Sequence, residues 1–197
     1  KMMAGQLMQM GMNTLGNWSD QRLFENTPIP YVTSLPEFPE TEKKIFRDFP
    51  DVLSDEYKEN AKNNAKALAA RKDDPMMIGY FLRNEPSWAF VDNLVLADEV
   101  LYNPEKTVCK EKLIAFLKEK YQTVDRLNDA WKLSLSTFED LYQPIRDASK
   151  RSEAAKADQK EFSKKLLRAY VEIPAKACRE EVGGQAVLGR QIRQSTP

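Results

Sequence analysis

The apolar run from Met76 to Leu82, bounded by Pro75 in front and by Arg83-Asn84-Glu85 behind, constrains this chain more than any other stretch. A short, nearly continuous apolar run between proline and polar boundaries predicts a strand buried on both faces, as in a sheet covered by helices. Ligands bind at the carboxyl ends of such strands, so the residues delivered next, Arg83, Asn84, Glu85 and Trp88, are candidates for chemistry. Pro86 disfavours the helical region for Glu85 and predicts extended backbone as the carboxylate emerges. An Asn-Glu pair is a short motif, and an ordinary strand-to-helix turn with a solvated Glu85 and a packed Trp88 fits the same residues.

The design recurs along the chain. Met12 to Asp20 reads as a short strand followed by a polar turn carrying Asn17, Trp18 and Asp20. Ile29 to Leu35, enclosed by Pro28 and Pro36, is rich in β-branched and aromatic residues and predicts another strand. Gln185 to Ile192, after Gly183-Gly184, predicts a fourth that ends in Arg190, Gln191 and Arg193.

Helical patterns fill the intervals. Residues 1 to 10 form one, stopped by Gly11, and Ser54 caps a helix with Asp55 and Glu56 in its first turn and a stripe of Tyr57, Ala61, Ala65 and Leu68. Asn103-Pro104 predicts the start of a helix, and Leu113, Phe116, Leu117 and Tyr121 give it a stripe that Leu127, Ala130 and Trp131 continue on the next. Ser136 and Glu139 have capping-box spacing, and Phe162 to Ala177 form a further amphipathic helix after a charged stretch at 147–161 that reads as a solvated helical face or a connector. Pro36 to Pro50, with its prolines and mixed charges, predicts a long loop containing Glu37.

Strands separated by helices argue for a parallel sheet with helical crossovers. A complete TIM (β/α)8 barrel takes about 250 residues, whereas this chain has 197. The expectation is an α/β fold, a single domain over 1–197 that makes up part of such a barrel, with about four βα units.

Composition narrows the chemistry. Basic and acidic residues number 30 each, so no net field draws the chain to nucleic acid, and no apolar stretch reaches the roughly 18 residues of a membrane span. Histidine is absent, which removes Ser-His-Asp and Cys-His nucleophiles and His-ligated zinc or haem. Acid-base chemistry must use carboxylates, Lys, Tyr or Cys. Cys109 and Cys178 fall in separate helical segments and fit buried free thiols better than a disulfide.

Several separated blocks together resemble one family: Gly11 to Asp20, Ile78 to Glu85, Phe116 to Tyr121 with Leu127 to Trp131, Lys160 to Lys165, and Val187 to Arg190. They are similar to retaining glycoside hydrolases of clan A, in particular bacterial β-agarases and the related β-galactosidases. The resemblance implies a TIM barrel, a carbohydrate substrate of galactose type and no metal or organic cofactor, and it suggests a secreted or periplasmic bacterial enzyme. Glu85, after the fourth barrel strand, would be the general acid/base, and Asn84 would hydrogen-bond the sugar 2-hydroxyl. A partly desolvated Glu can hold a proton near neutrality, as this role requires.

Further substrate-binding candidates are Trp88, Asn17, Trp18, Asp20 and Arg190. Trp18 and Trp88 could stack on a pyranose, with packing as the alternative for Trp18; Asn17 and Asp20 serve sugar hydroxyls or turn formation equally well. Retention needs a second carboxylate about 5 Å away, which this clan places after the seventh strand. If the visible strands are the second to fifth, it lies beyond Pro197, on the rest of the barrel in a parent chain. Glu37 and Asp51 do not match the nucleophile motif. Arg83 and Pro86 depart from the family pattern. A catalytically silent sugar-binding barrel and a mainly helical scaffold are the rival readings.

Overall fold

The computed structural model describes residues 2–183 and 186–188, which fall into two compact units. The first takes residues 2–38, Ala61–Glu85 and the described residues from Ile173; the second takes Pro39–Asn60 and Pro86–Glu172.

The first unit holds the sheet. Strand β1 (Tyr31–Ser34) pairs in parallel with the central strand, Met77–Phe81, which pairs in parallel with Ala186–Leu188. Leu15 adds a parallel bridge to Tyr31 at the outer side of β1, its N–H donating to the Pro30 carbonyl and its carbonyl accepting from Val32. The predicted strand at Met12 is thus reduced to one bridging residue. In the direction of the sheet these positions run in chain order, each parallel to the next, and every link between them carries helix. That is the repeating βα pattern expected from the sequence.

Helix α1 (Met2–Gln9) ends before Gly11 at φ 79, where a side chain would be strained. Helix α2 (Gln21–Asn26) precedes β1, and Phe24 stacks on Tyr31 at 4.3 Å. Tyr31, Thr33 and Leu35 are buried while Val32 and Ser34 are half-buried, so β1 shows the period of two that a sheet with two different faces produces. The central strand does not follow the expectation of burial on both faces. Ile78 is 44% exposed, because it sits beside the register shift between Tyr31 and Val32 and gains no cover there.

The second unit opens with an antiparallel hairpin, β2 (Lys44–Phe46) and β3 (Phe49–Pro50), inside the stretch expected to be loop. Helix α3 (Asp55–Ala65) begins as predicted: Ser54 Oγ accepts from the Tyr57 N–H at 3.1 Å, and Asp55 and Glu56 occupy the first turn. A 3₁₀ continuation, Lys66–Arg71, leads to the central strand, here β4.

Beyond β4 come the 3₁₀ turn Ser87–Phe90, then α4 (Leu96–Tyr102), α5 (Val108–Tyr121) and α6 (Val124–Trp131). The start of α5 differs from expectation. Thr107, not Asn103, is the cap and accepts from the Lys110 N–H at 3.1 Å. Asn103 instead accepts from the Glu105 N–H in a local turn and donates its amide to the Lys44 carbonyl. The capping box is likewise one residue later than predicted, at Thr137 and Asp140. Helix α7 (Glu153–Val182) crosses from the second unit into the first, contains Pro174, and ends before Gly183 at φ 72 on the way to β5 (Ala186–Leu188).

Trp131 is fully buried as expected for a helical-stripe tryptophan, and its indole N–H donates to Asp158 at 2.9 Å. Both cysteines are buried free thiols. Among the described residues no helix is long and apolar enough to cross a membrane.

Candidate active site

Parallel strands bring their carboxyl ends to one edge, so the residues following Leu15 and β4 emerge together. Gly16, Asn17 and Trp18 from the first and Arg83 and Asn84 from the second line a cleft of about 250 Å³, floored by Val32 and Phe81. Register explains the floor: Val32 lies opposite Gly79 and Ser34 opposite Phe81, and Arg83, two residues on, continues that side of the strand.

Each wall residue presents different chemistry. Asn17 Oδ1 is buried and has no hydrogen-bond partner among the described residues, so it is an acceptor desolvated but unused. Trp18 is 79% exposed, an open aromatic face beside that acceptor. The Arg83 guanidinium lies over the Phe38 ring at 5.2 Å. Asn84 is exposed at the rim, and Glu85, the next residue, is exposed as well.

Glu85 differs from expectation in its backbone. Its φ is 38, in the left-handed region rather than extended. Pro86 restricts the preceding residue against right-handed helical conformations and does not forbid a positive φ, which the chain uses to turn from strand to 3₁₀ segment. A non-glycine residue held there stores roughly 1–3 kcal/mol, the kind of strain that clusters at functional sites.

Two of the other predicted residues, Asp20 and Trp88, do not line the cleft. Asp20 has a structural duty: it caps α2 by accepting from the Arg22 N–H at 3.0 Å, and the Arg22 guanidinium takes both of its oxygens. That pairing holds its carboxyl down at about 2. Trp88 is buried, with Phe49 and Tyr170 edge-on to it at 5.2 and 5.4 Å, so its ring packs in the core of the second unit and offers no open face to a sugar. Arg190 lies outside the described residues.

The hairpin turn between β2 and β3 holds the turn that follows Glu85 and Pro86, a contact that sequence reasoning missed. Arg47, at φ 49, donates to the Ser87 carbonyl at 3.1 Å. The Asp48 carboxylate accepts from the Ser87 N–H at 3.0 Å, the Ser87 hydroxyl at 2.5 Å and the Trp88 N–H at 3.0 Å. The one available signal was a charged pair, Arg47-Asp48, between aromatic residues Phe46 and Phe49.

The buried carboxylates are committed elsewhere. Asp51 accepts from the N–H groups of Val108 and Cys109 at 2.7 and 2.8 Å, anchoring the first turn of α5. Asp98 accepts from Ser149 and from the Gln159 amide, and Asp158 from Lys120, Tyr121 and Trp131. A larger cleft of about 520 Å³ in the second unit is lined by Leu94, Lys150, Lys156 and three serines. Those serines are occupied: Ser149 with Asp98, Ser152 with the Ala130 carbonyl, and Ser163 with the Ala97 N–H. None of the predicted site residues lines it. Among the described residues, no group of His, Cys, Asp and Glu side chains could hold a metal ion.

The family model for glycoside hydrolase 42, described as beta-galactosidase, matches residues 37–191. Beta-agarase B from Vibrio sp. (strain JT0107) is 26% identical over 176 residues, covering 83% of this chain and 18% of the agarase. The crystal structure of the agarase AgWH50C superposes with a TM-score of 0.80 at 20% identity, over 96% of this chain and 28% of that one. The beta-galactosidase from the psychrophilic Marinomonas ef1 gives 0.56 at 15% identity, over 94% and 34%. The chain thus spans less than a fifth of the curated relative and shares its fold with about a quarter to a third of each solved one. The extent of the family match, covering most of the chain, shows that this protein belongs to the glycoside hydrolase 42 family, the beta-galactosidases.

Proposed function

We propose that this chain is the portion of a retaining β-glycosidase (β/α)8 barrel that carries the general acid/base, Glu85, and acts on a galactose-containing polysaccharide or oligosaccharide. The observation that supports it best is the convergence of Asn17, Trp18, Arg83 and Asn84 on one cleft at the carboxyl edge of parallel strands, with Glu85 next in the chain. The galactose assignment follows from the agarase and beta-galactosidase relatives.

In the proposed reaction a carboxylate from the remainder of the barrel attacks the anomeric carbon while Glu85 protonates the departing glycosidic oxygen. Glu85, now ionised, then removes a proton from water, which displaces the first carboxylate and restores the original configuration. The two carboxyl groups stand about 5 Å apart in such enzymes. Asn84 donates to the sugar 2-hydroxyl, Asn17 Oδ1 accepts from another hydroxyl, and Trp18 supplies the apolar platform. No step calls for a metal or an organic cofactor.

The test is Glu85→Gln in the complete barrel. Turnover of a β-galactoside with a poor leaving group falls at least about 10²-fold while sugar binding persists. Unchanged binding in a wild-type barrel that never turned over any glycoside points instead to a silent sugar-binding barrel.

A further inference from the structure

We propose that Asp48 is the positioning residue of the acid/base segment. The inference rests on the role proposed for Glu85 and assigns the device that holds that residue in place.

A strand end is mobile unless its backbone groups are tied, and the chain after Glu85 has few ladder partners to tie it. Ser87 and Trp88 open a 3₁₀ turn whose first N–H groups have no partner within it. Asp48 supplies that partner from a different element, the hairpin turn, and takes both N–H groups and the Ser87 hydroxyl on its two oxygens. Arg47 grips the same residue from the other side through the Ser87 carbonyl. Phe49, following Asp48, packs edge-on against Trp88. Three consecutive hairpin residues therefore fix two consecutive residues of the turn.

The effect reaches Glu85 along the chain. Pro86 has a fixed φ of −66 and lies between the anchored Ser87 and Glu85, so only the Cα–C bonds of Glu85 and Pro86 can rotate between them. The positive φ of Glu85 is held against its intrinsic preference only if the chain on its carboxyl side cannot relax. Asp48 is the side chain that prevents this. The same arrangement explains why a tryptophan follows the acid/base residue by a short step: its ring is the hydrophobic half of the anchor.

The experiment uses the complete barrel and two β-galactosides. One has a dinitrophenolate leaving group that departs without protonation, and the other has an alcohol that needs it. Asp48→Ala is expected to leave kcat/KM for the first, which reports only the glycosylation step, within about threefold of wild type and to lower kcat/KM for the second by roughly 10²-fold, the scale of misplacing a catalytic group. Ser87→Ala, which removes one of the three hydrogen bonds, is expected to give the same leaving-group dependence with a smaller loss, and it serves as the readout if Asp48→Ala does not fold. Equal losses on both substrates, or none on either, in whichever variant folds overturn the proposal. Glu85→Gln is run beside them: if it too lacks leaving-group dependence, the acid/base assignment itself has failed, and that outcome is distinct from a failure confined to Asp48.

Discussion

The Tyr57 hydroxyl donates at 2.8 Å to the carbonyl of Tyr170, whose usual helical donor four residues on is Pro174, which has no N–H. The contact is buried, and it makes an internal proline tolerable in a 30-residue helix. It also holds Tyr170, which stacks on Phe49 at 5.0 Å and meets Trp88, so the helix is joined to the aromatic cluster behind the Ser87–Phe90 turn.

Tyr57→Phe is therefore expected to destabilise the protein by about 1–3 kcal/mol, the penalty for a buried carbonyl left without a donor. Denaturant unfolding at unchanged slope measures it. In a Pro174→Ala background, where the helix can supply its own N–H, the same substitution should have a distinctly smaller effect.

Much of this fold is legible in the sequence because its signals are local. Ser54 with Asp55 and Glu56, Gly11, Gly183 and the apolar run before Arg83 each state their role within a few residues. What was illegible depends on partners far along the chain. The β2–β3 hairpin has strands of three and two residues, too short for a periodicity to register, and its prolines and charges read as loop. Asn103 looks like a helix cap until its amide is seen to serve the Lys44 carbonyl, and Ser136 and Thr137 both satisfy the capping-box spacing. Within the site, Asn17, Trp18 and Asn84 come together, whereas Asp20 is taken by Arg22 and Trp88 by two rings. Only the folded chain reveals either competition.

Asp158 is 1% exposed and collects the Lys120 ammonium, the Tyr121 hydroxyl and the Trp131 indole N–H. Asp158→Ala leaves the buried Trp131 indole N–H and the Tyr121 hydroxyl without this acceptor and is expected to lower stability by roughly 3–5 kcal/mol. Lys120→Met should matter far less, under about 1 kcal/mol, because its side chain is 43% exposed to solvent. Comparing the two unfolding midpoints checks the ranking.

Burial pushes the phenols of Tyr80 and Tyr121 up to about 12, with Asp158 adding to the shift at Tyr121. In the unfolded chain they ionise near the ordinary value of 10.0. Their stabilisation is fully present below that value and is lost as pH rises toward 12. Unfolding midpoints should fall over that window, and Tyr80→Phe should make the fall shallower. A midpoint independent of pH there would contradict the assignment.

Trp18→Ala and Asn17→Ala should leave unfolding stability within about 0.5 kcal/mol, because one ring is exposed and the other side chain's oxygen makes no internal bond. Both should weaken sugar binding, Trp18→Ala by about 1 kcal/mol or roughly fivefold. Calorimetric titration of the complete barrel with a galactose oligosaccharide measures this.

The most direct test of Glu85 as acid/base is azide rescue of Glu85→Ala in the complete barrel, using a dinitrophenyl β-galactoside whose glycosylation step needs no acid. The account predicts that turnover collapses because water is no longer activated, that added azide restores it, and that the product is the β-galactosyl azide with retained configuration. Wild-type turnover in the variant without azide would contradict the assignment, as would an inactive variant on which azide has no effect.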